Sequence, residues 1–189
     1  MRHAFVVLAA LALSACNQSS PTPAEQTTAA GCVRSATHDV RWTDPDTADL
    51  ITARSEGPSC AQAVVLLVAR NAQGDALWNF SSTYYDMTTG GVPPENAPAV
   101  SDEQMDTFLR GWANVTAGMS GTLPEWREGA AGPEAPTFHY STSFEREQYE
   151  AMRQRNLPMI CYAAAAEATQ CLVVDPISRA PSMIVAYGP

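Results

Sequence analysis

Lysine is absent from this 189-residue chain, and its absence limits what the surface can hold. All eleven basic residues are arginine, set against twenty Asp and Glu for a formal charge of −9. The arginines are scattered singly among the carboxylates, so there is no basic stripe to neutralise a phosphate backbone, and nucleic acid is not an expected partner. Anionic lipid headgroups are repelled for the same reason. Long apolar runs are also missing. The N-terminal run Ala4 to Leu13 is about ten residues, half of the roughly 20 that a membrane-spanning helix needs.

Motifs that carry chemistry are equally scarce. His3, His38 and His139 each stand alone, with neither H-x-H nor H-E-x-x-H spacing, so no metal site is expected from imidazole pairs. The G-x-S-x-G turn of hydrolases, a phosphate-cradling glycine loop and a dinucleotide fingerprint are all lacking. Gly118-Met119-Ser120-Gly121 is a near miss to the first, but it follows a helical stretch rather than a strand. No catalytic residue and no cofactor is predicted. Paired carboxylates for glycoside hydrolysis are available among twenty acids, but their separation is a property of the fold. None of the five cysteines has C-x-x-C spacing, which weighs against thiol redox catalysis and zinc binding.

What is present begins at the N-terminus. The free amine and Arg2 form a short basic region ahead of the apolar run, which has the length of a signal-peptide core. The run closes on Leu13-Ser14-Ala15-Cys16, a tetrapeptide that resembles the lipobox of bacterial lipoproteins. The resemblance covers the first sixteen residues only. It implies that residues 1–15 are a signal peptide removed before Cys16, and that Cys16 carries diacylglycerol through a thioether and an acylated amine. Two or more chains give lasting membrane attachment without a basic patch. Asn17, in place of Asp, implies sorting to the outer membrane, facing the periplasm.

Residues 16–31 then form the lipidated cysteine and a tether, NQSSPTPAEQTTAAG after Cys16, which has no large apolar side chain. Such a tether spans about 20 Å on average and at most about 50 Å. With Cys16 assigned to lipid, Cys32, Cys60, Cys161 and Cys171 remain, an even number in an exported chain. They can pair in three ways. Pairing of near neighbours, Cys32 with Cys60 and Cys161 with Cys171, is the economical choice.

Residues 32–189 are expected to form one α+β domain, a mainly antiparallel sheet covered by one strongly amphipathic helix and a second surface helix. Strands are predicted from Asp39 to Thr43, from Asp49 to Glu56, and across AQAVVLLVAR at 61–70, which is apolar on both alternate sets and so fits a central strand covered on two faces. Ala76, Trp78 and Phe80 give a returning strand after the turn at 71–74. Gly90, Gly91, Pro93, Pro94 and Pro98 make residues 86–100 a long loop, the first candidate for a contact surface. Ser101 with Gln104 forms a capping box, and Met105, Phe108, Leu109, Trp112 and Val115 then make an apolar helical stripe to Gly118. A second helix is predicted from Thr142, boxed with Glu145, to Arg155. Three strands follow, Pro158 to Tyr162, Cys171 to Asp175 and Ser182 to Tyr187.

The functional expectation is a lipid-anchored envelope protein whose domain binds or scaffolds an envelope protein or glycan, with Tyr84, Tyr85 and Trp126 on the contact surface. The acidity, the disulfides and the irregular loops also suit an inhibitor of a cationic cell-wall hydrolase such as lysozyme. An envelope hydrolase is the enzymatic alternative, for which a pocket holding His38 or His139 beside a carboxylate and a Ser would speak.

Overall fold

The computed structural model describes residues 31–91, 93 and 99–189; the expected signal peptide, Cys16 and the tether up to residue 30 lie outside them. The first half is an antiparallel meander of β1 (Arg34–Val40), β2 (Asp49–Glu56), β3 (Val64–Arg70) and β4 (Ala76–Thr83). Helices α1 (Tyr84–Thr89) and α2 (Asp102–Ala113) follow. The second half is a five-stranded antiparallel sheet in the order β5-β7-β8-β9-β6. Its strands are β5 (Thr116–Met119), β6 (His139–Ser141), β7 (Pro158–Ala165), β8 (Ala168–Val174) and β9 (Pro181–Gly188), with α3 (Arg146–Gln154) ahead of β7. The α+β class with antiparallel pairing is what the chain adopts, although the strands divide between two sheets.

Register explains the layering. On the first sheet, Ala36, Ala53, Leu67 and Phe80 form one inward row, and His38, Ile51, Ala69 and Trp78 form the next. Small alanines at β1 and β2 leave room for α2, which packs against both strands through the buried Met105 and Leu109. Arg34 on β1 fastens the helix further, meeting Asp102 at 3.0 Å and pairing with Asp106.

The second sheet is covered on both faces. Ile160, Tyr162, Leu172 and Val174 join the core shared with the first sheet, whereas Met159, Cys161, Cys171 and Val173 join a second core beneath Tyr149 of α3. That alternation is the period-2 rule at work on buried strands. The β8–β9 register shifts between Cys171 and Leu172, a bulge that lets Ile184 and Val185 both enter the second core. At the same place the Leu172 carbonyl accepts the Trp42 indole N–H at 3.1 Å, which ties the two halves together. Asp49, fully buried, holds the β1–β2 connection by accepting from Trp42 N (2.9 Å), Thr43 N (2.6 Å) and Thr43 Oγ1 (2.7 Å).

Both neighbouring cysteine pairs are bonded, Cys32 with Cys60 and Cys161 with Cys171. The second links directly opposed residues of β7 and β8.

Several expected boundaries move. The first strand ends at Val40, and Trp42 beyond it is buried because its indole is taken by Leu172. β3 is covered along one face and only in part on the other, where Val68 is buried but Val64 is 53% exposed and Leu66 half-buried. The long loop does not start at 86, because α1 runs to Thr89 and Gly90 ends it in the left-handed region at φ 73°. α2 stops at Ala113 rather than Gly118, since residues 116–119 pair with β7 as an added strand. Helix α3 starts after Glu145, not at Thr142. Thr142 Oγ1 instead donates to the Ile184 carbonyl (2.7 Å), so tertiary pairing overrides the capping box. Its stop at Asn156, φ 49°, is where the sequence placed it. The strands around the second disulfide extend to a two-residue turn at Ala166 and Glu167, in place of an eight-residue loop.

Candidate functional site: an aromatic groove between α1 and α2

A groove of about 650 Å³ runs between α1 and α2, and its walls follow from how each helix is started. Thr83 caps α1: its Oγ1 accepts from Asp86 N (3.2 Å) and donates to Asp86 Oδ2 (2.8 Å). Ser101 caps α2 with the full box, Ser101 Oγ accepting from Gln104 N (3.2 Å) and Gln104 Oε1 accepting from Ser101 N (2.8 Å). The two caps fix where Tyr84, Met87 and Thr88 face Glu103, Thr107, Phe108, Gly111 and Trp112.

The aromatic rings form a continuous wall. Tyr84 meets Phe108 edge-on with centroids 5.3 Å apart, Phe108 stacks on Trp112 at 5.5 Å, and Trp112 meets Phe80 edge-on at 6.3 Å. Trp112 is held from behind, its indole N–H donating to the Ala163 carbonyl of β7 at 2.9 Å. Such a polar anchor fixes the ring while leaving its edge to the groove.

Gly111 is the telling residue. It sits in the last turn of an amphipathic helix, where glycine costs about 0.5–1 kcal/mol relative to alanine. Among the described residues, a Cβ added there would meet no atom within 4 Å beyond the helix itself, so their packing does not explain the missing side chain. Its bare backbone forms part of the groove's lining.

Among the described residues, Glu103 is the one charged side chain lining the groove, and Asp86 stands exposed at the head of α1. Arg110 at the rim donates to Thr107 Oγ1 at 3.1 Å. Asp106, on the opposite side of α2, is spent on the fold: the hydrogen bond from Arg34 holds its carboxyl below the usual range.

Of the three residues expected on a contact surface, Tyr84 lines this groove, Tyr85 is buried at 8% exposure, and Trp126 lies elsewhere. Trp126 packs edge-on against Tyr149 in the second core, its indole donating to Ala130 O (3.0 Å) and its backbone N–H to Glu150 Oε1 (2.7 Å). The structure therefore does not bring it to Tyr84. Burial pushes the Glu150 carboxyl up, but the Trp126 N–H and Arg153 (2.9 Å) outweigh it and hold Glu150 below its ordinary range.

The two histidines fall on separate sheets, His38 on β1 and His139 on β6. Ser120 of the near-miss motif is fully buried and committed, its Oγ donating to Met152 O (2.8 Å) and accepting from Leu157 N (2.8 Å). The ligand atoms of Cys32, Cys60 and Asp102 cluster within 4.8 Å, but the two sulfurs are bonded to each other and offer no thiolate to a metal.

No protein-family model, curated protein or solved structure matches this chain. An open, aromatic-walled trough with one carboxylate suits reversible capture of an apolar surface bearing positive charge. Phe108 and Trp112 lie on the core face, as their helical spacing predicts, and also reach the groove, whereas that spacing predicts no role for Gly111. The usable signal was a glycine one residue before a tryptophan inside a well-capped amphipathic helix.

Proposed function

We propose that the protein is a bacterial envelope lipoprotein, held by acyl chains on Cys16 in the outer membrane and facing the periplasm, whose domain is a binding module. Its ligand is an apolar, basic segment of an envelope polypeptide, seated in the α1–α2 groove. The observation that carries this reading is Gly111, a stability cost that leaves a trough walled by Tyr84, Phe108 and Trp112. Charge supports the occupant: Glu103 is in the wall, Asp86 is at the head of α1, and the chain as a whole carries −9. An inhibitor of a cationic cell-wall hydrolase would use the same trough and the same charges.

Calorimetric titration of the full chain with a twelve-residue leucine–lysine peptide tests the groove. Saturable binding that weakens with salt, fails with a leucine–glutamate peptide and disappears in Gly111→Trp is expected. Equal affinity for both peptides, or undiminished binding by Gly111→Trp, refutes it. Titration into a lysozyme assay separates the inhibitor reading from a scaffold. The anchor is tested by radiolabelled palmitate, which should enter the chain in bacteria and not its Cys16→Ala variant.

A further inference from the structure

A second trough, of about 660 Å³, opens on the loop that leads into β6, and neither the anchor nor the α1–α2 groove accounts for it. Its floor is aromatic. Phe138 is 40% exposed and meets Tyr140 edge-on at 6.5 Å and Tyr187 at 5.4 Å, while Tyr140 and Tyr187 lie 5.2 Å apart, paired across β6 and β9. An exposed phenyl ring braced by two tyrosines presents a flat apolar surface that cannot turn away.

Polar groups of both kinds stand around it. Arg127 and His139 can donate and Glu134 can accept, and their side chains form no hydrogen bond or ion pair among the described residues. Glu134 and His139 are cross-strand neighbours through an isolated bridge, which sets their side chains at adjacent positions. Gly132 and the buried Pro133, with Pro136, complete a wall whose backbone has little freedom. One Arg and one Glu cancel in formal charge, in contrast to the −9 of the whole chain.

From this set we infer that the trough binds a neutral oligosaccharide. The C–H face of a pyranose ring is flat and apolar and lies on an aromatic ring, whereas its hydroxyls each donate and accept at the edge. Ring platform, mixed donors and acceptors, and locally balanced charge answer to that chemistry together. A basic peptide would meet Arg127 beside the single carboxylate of Glu134, and an anionic one would be repelled by the chain's field. The volume falls in the range of about 300–1,000 Å³ that encloses a ligand of a few rings. Among the described residues lining the trough none is Ser, Thr or Cys, so no aliphatic hydroxyl or thiol stands with His139 and Glu134 as an acyl-transfer nucleophile.

The inference stands apart from the α1–α2 groove, and the test keeps the two separable. The full chain, purified in detergent, is titrated calorimetrically with three neutral trisaccharides: β-1,4-linked N-acetylglucosamine, β-1,4-linked glucose and α-1,4-linked glucose. Saturable binding of at least one is expected, weakened at least tenfold by Phe138→Ala and by Glu134→Gln, preserved by Phe138→Trp, and unchanged by Gly111→Trp. Phe138 is exposed enough that its alanine variant should melt with the parent chain. Binding of none of the three, binding undiminished by a correctly folded Phe138→Ala, or displacement of a bound sugar by the leucine–lysine peptide at this trough overturns it.

Discussion

Replacing Gly111 with alanine should make the protein more stable and its groove worse. Alanine is favoured over glycine in a helix by about 0.8–1.0 kcal/mol, and the position lies in the last turn of α2, which lowers the expected gain to about 0.5–1 kcal/mol. No clash with the described residues subtracts from it, because none of them beyond the helix itself lies within 4 Å of the added Cβ. For a domain of this size, about 1 kcal/mol corresponds to roughly 2–4 °C in Tm. Scanning calorimetry without reductant should therefore show Gly111→Ala melting about 1–4 °C above the parent. A Tm at or below the parent value would mean that the space beside Gly111 is not open, and the argument from a stability cost would fail. Should the Tm rise while Gly111→Trp still binds the leucine–lysine peptide, the helix argument stands and the groove loses its function. Stabilising changes that cost activity are the expected pattern where a site was kept open at the fold's expense.

Other perturbations probe the supports of the fold. Asp49→Ala strips the acceptor from two backbone N–H groups at the β1–β2 connection, and denaturant titration should show a loss of about 2–4 kcal/mol. Tyr149→Phe removes the hydroxyl that donates to Pro124 O at 2.7 Å from a fully buried ring, for a loss of about 1 kcal/mol. Its pH dependence is a second readout: burial raises the Tyr149 phenol, so the stability it contributes is present below about pH 10 and fades as pH rises beyond it. The parent should lose stability on that alkaline limb, and the Tyr149→Phe variant should lose less. At the other end, Asp106 and Glu150 are held below their ordinary ranges. Their contribution is complete above about pH 4–5 and lost as pH falls through the lower folded-state values, so melting temperatures measured from pH 6 down to pH 2 should begin to drop below about pH 4–5. Replacing both Cys161 and Cys171 with alanine opens a loop of ten residues and should cost about 2.7 kcal/mol on the chain-entropy account, whereas the 28-residue loop of Cys32 and Cys60 should cost about 3.6.

Where a signal was local, the sequence carried it. β2 occupies the residues its alternation marks, and the capping box of Ser101 and Gln104 forms because both partners are three residues apart on one chain. The disulfides are the near-neighbour pairs, the economical one of the three arrangements that the sequence leaves open. Features set by distant partners stayed hidden. Thr142 and Glu145 have the spacing of a cap, yet Ile184 on β9 claims the threonine. Residues 116–119 look like the tail of a helix until β7 offers them a ladder. α1 has a local start at Thr83 with Asp86 and a stop at Gly90, six residues lying between Thr83 and Gly90, but Gly90-Gly91 and the prolines beyond masked it. Both grooves were illegible because each joins segments whose adjacency is a tertiary fact: α1 with α2, and the loop at 127–136 with the rings of β6.

The bond between Cys32 and Cys60 gives the fold a mechanical property. β1 lies at the edge of its sheet and begins two residues after Cys32, so a pull on the chain ahead of it would otherwise unzip β1 one rung at a time. The covalent link passes that tension straight to Cys60, just before β3, and leaves β1 and β2 inside a closed loop that carries no load. A domain tugged from its N-terminal side is thereby gripped at an inner strand instead of a peelable margin.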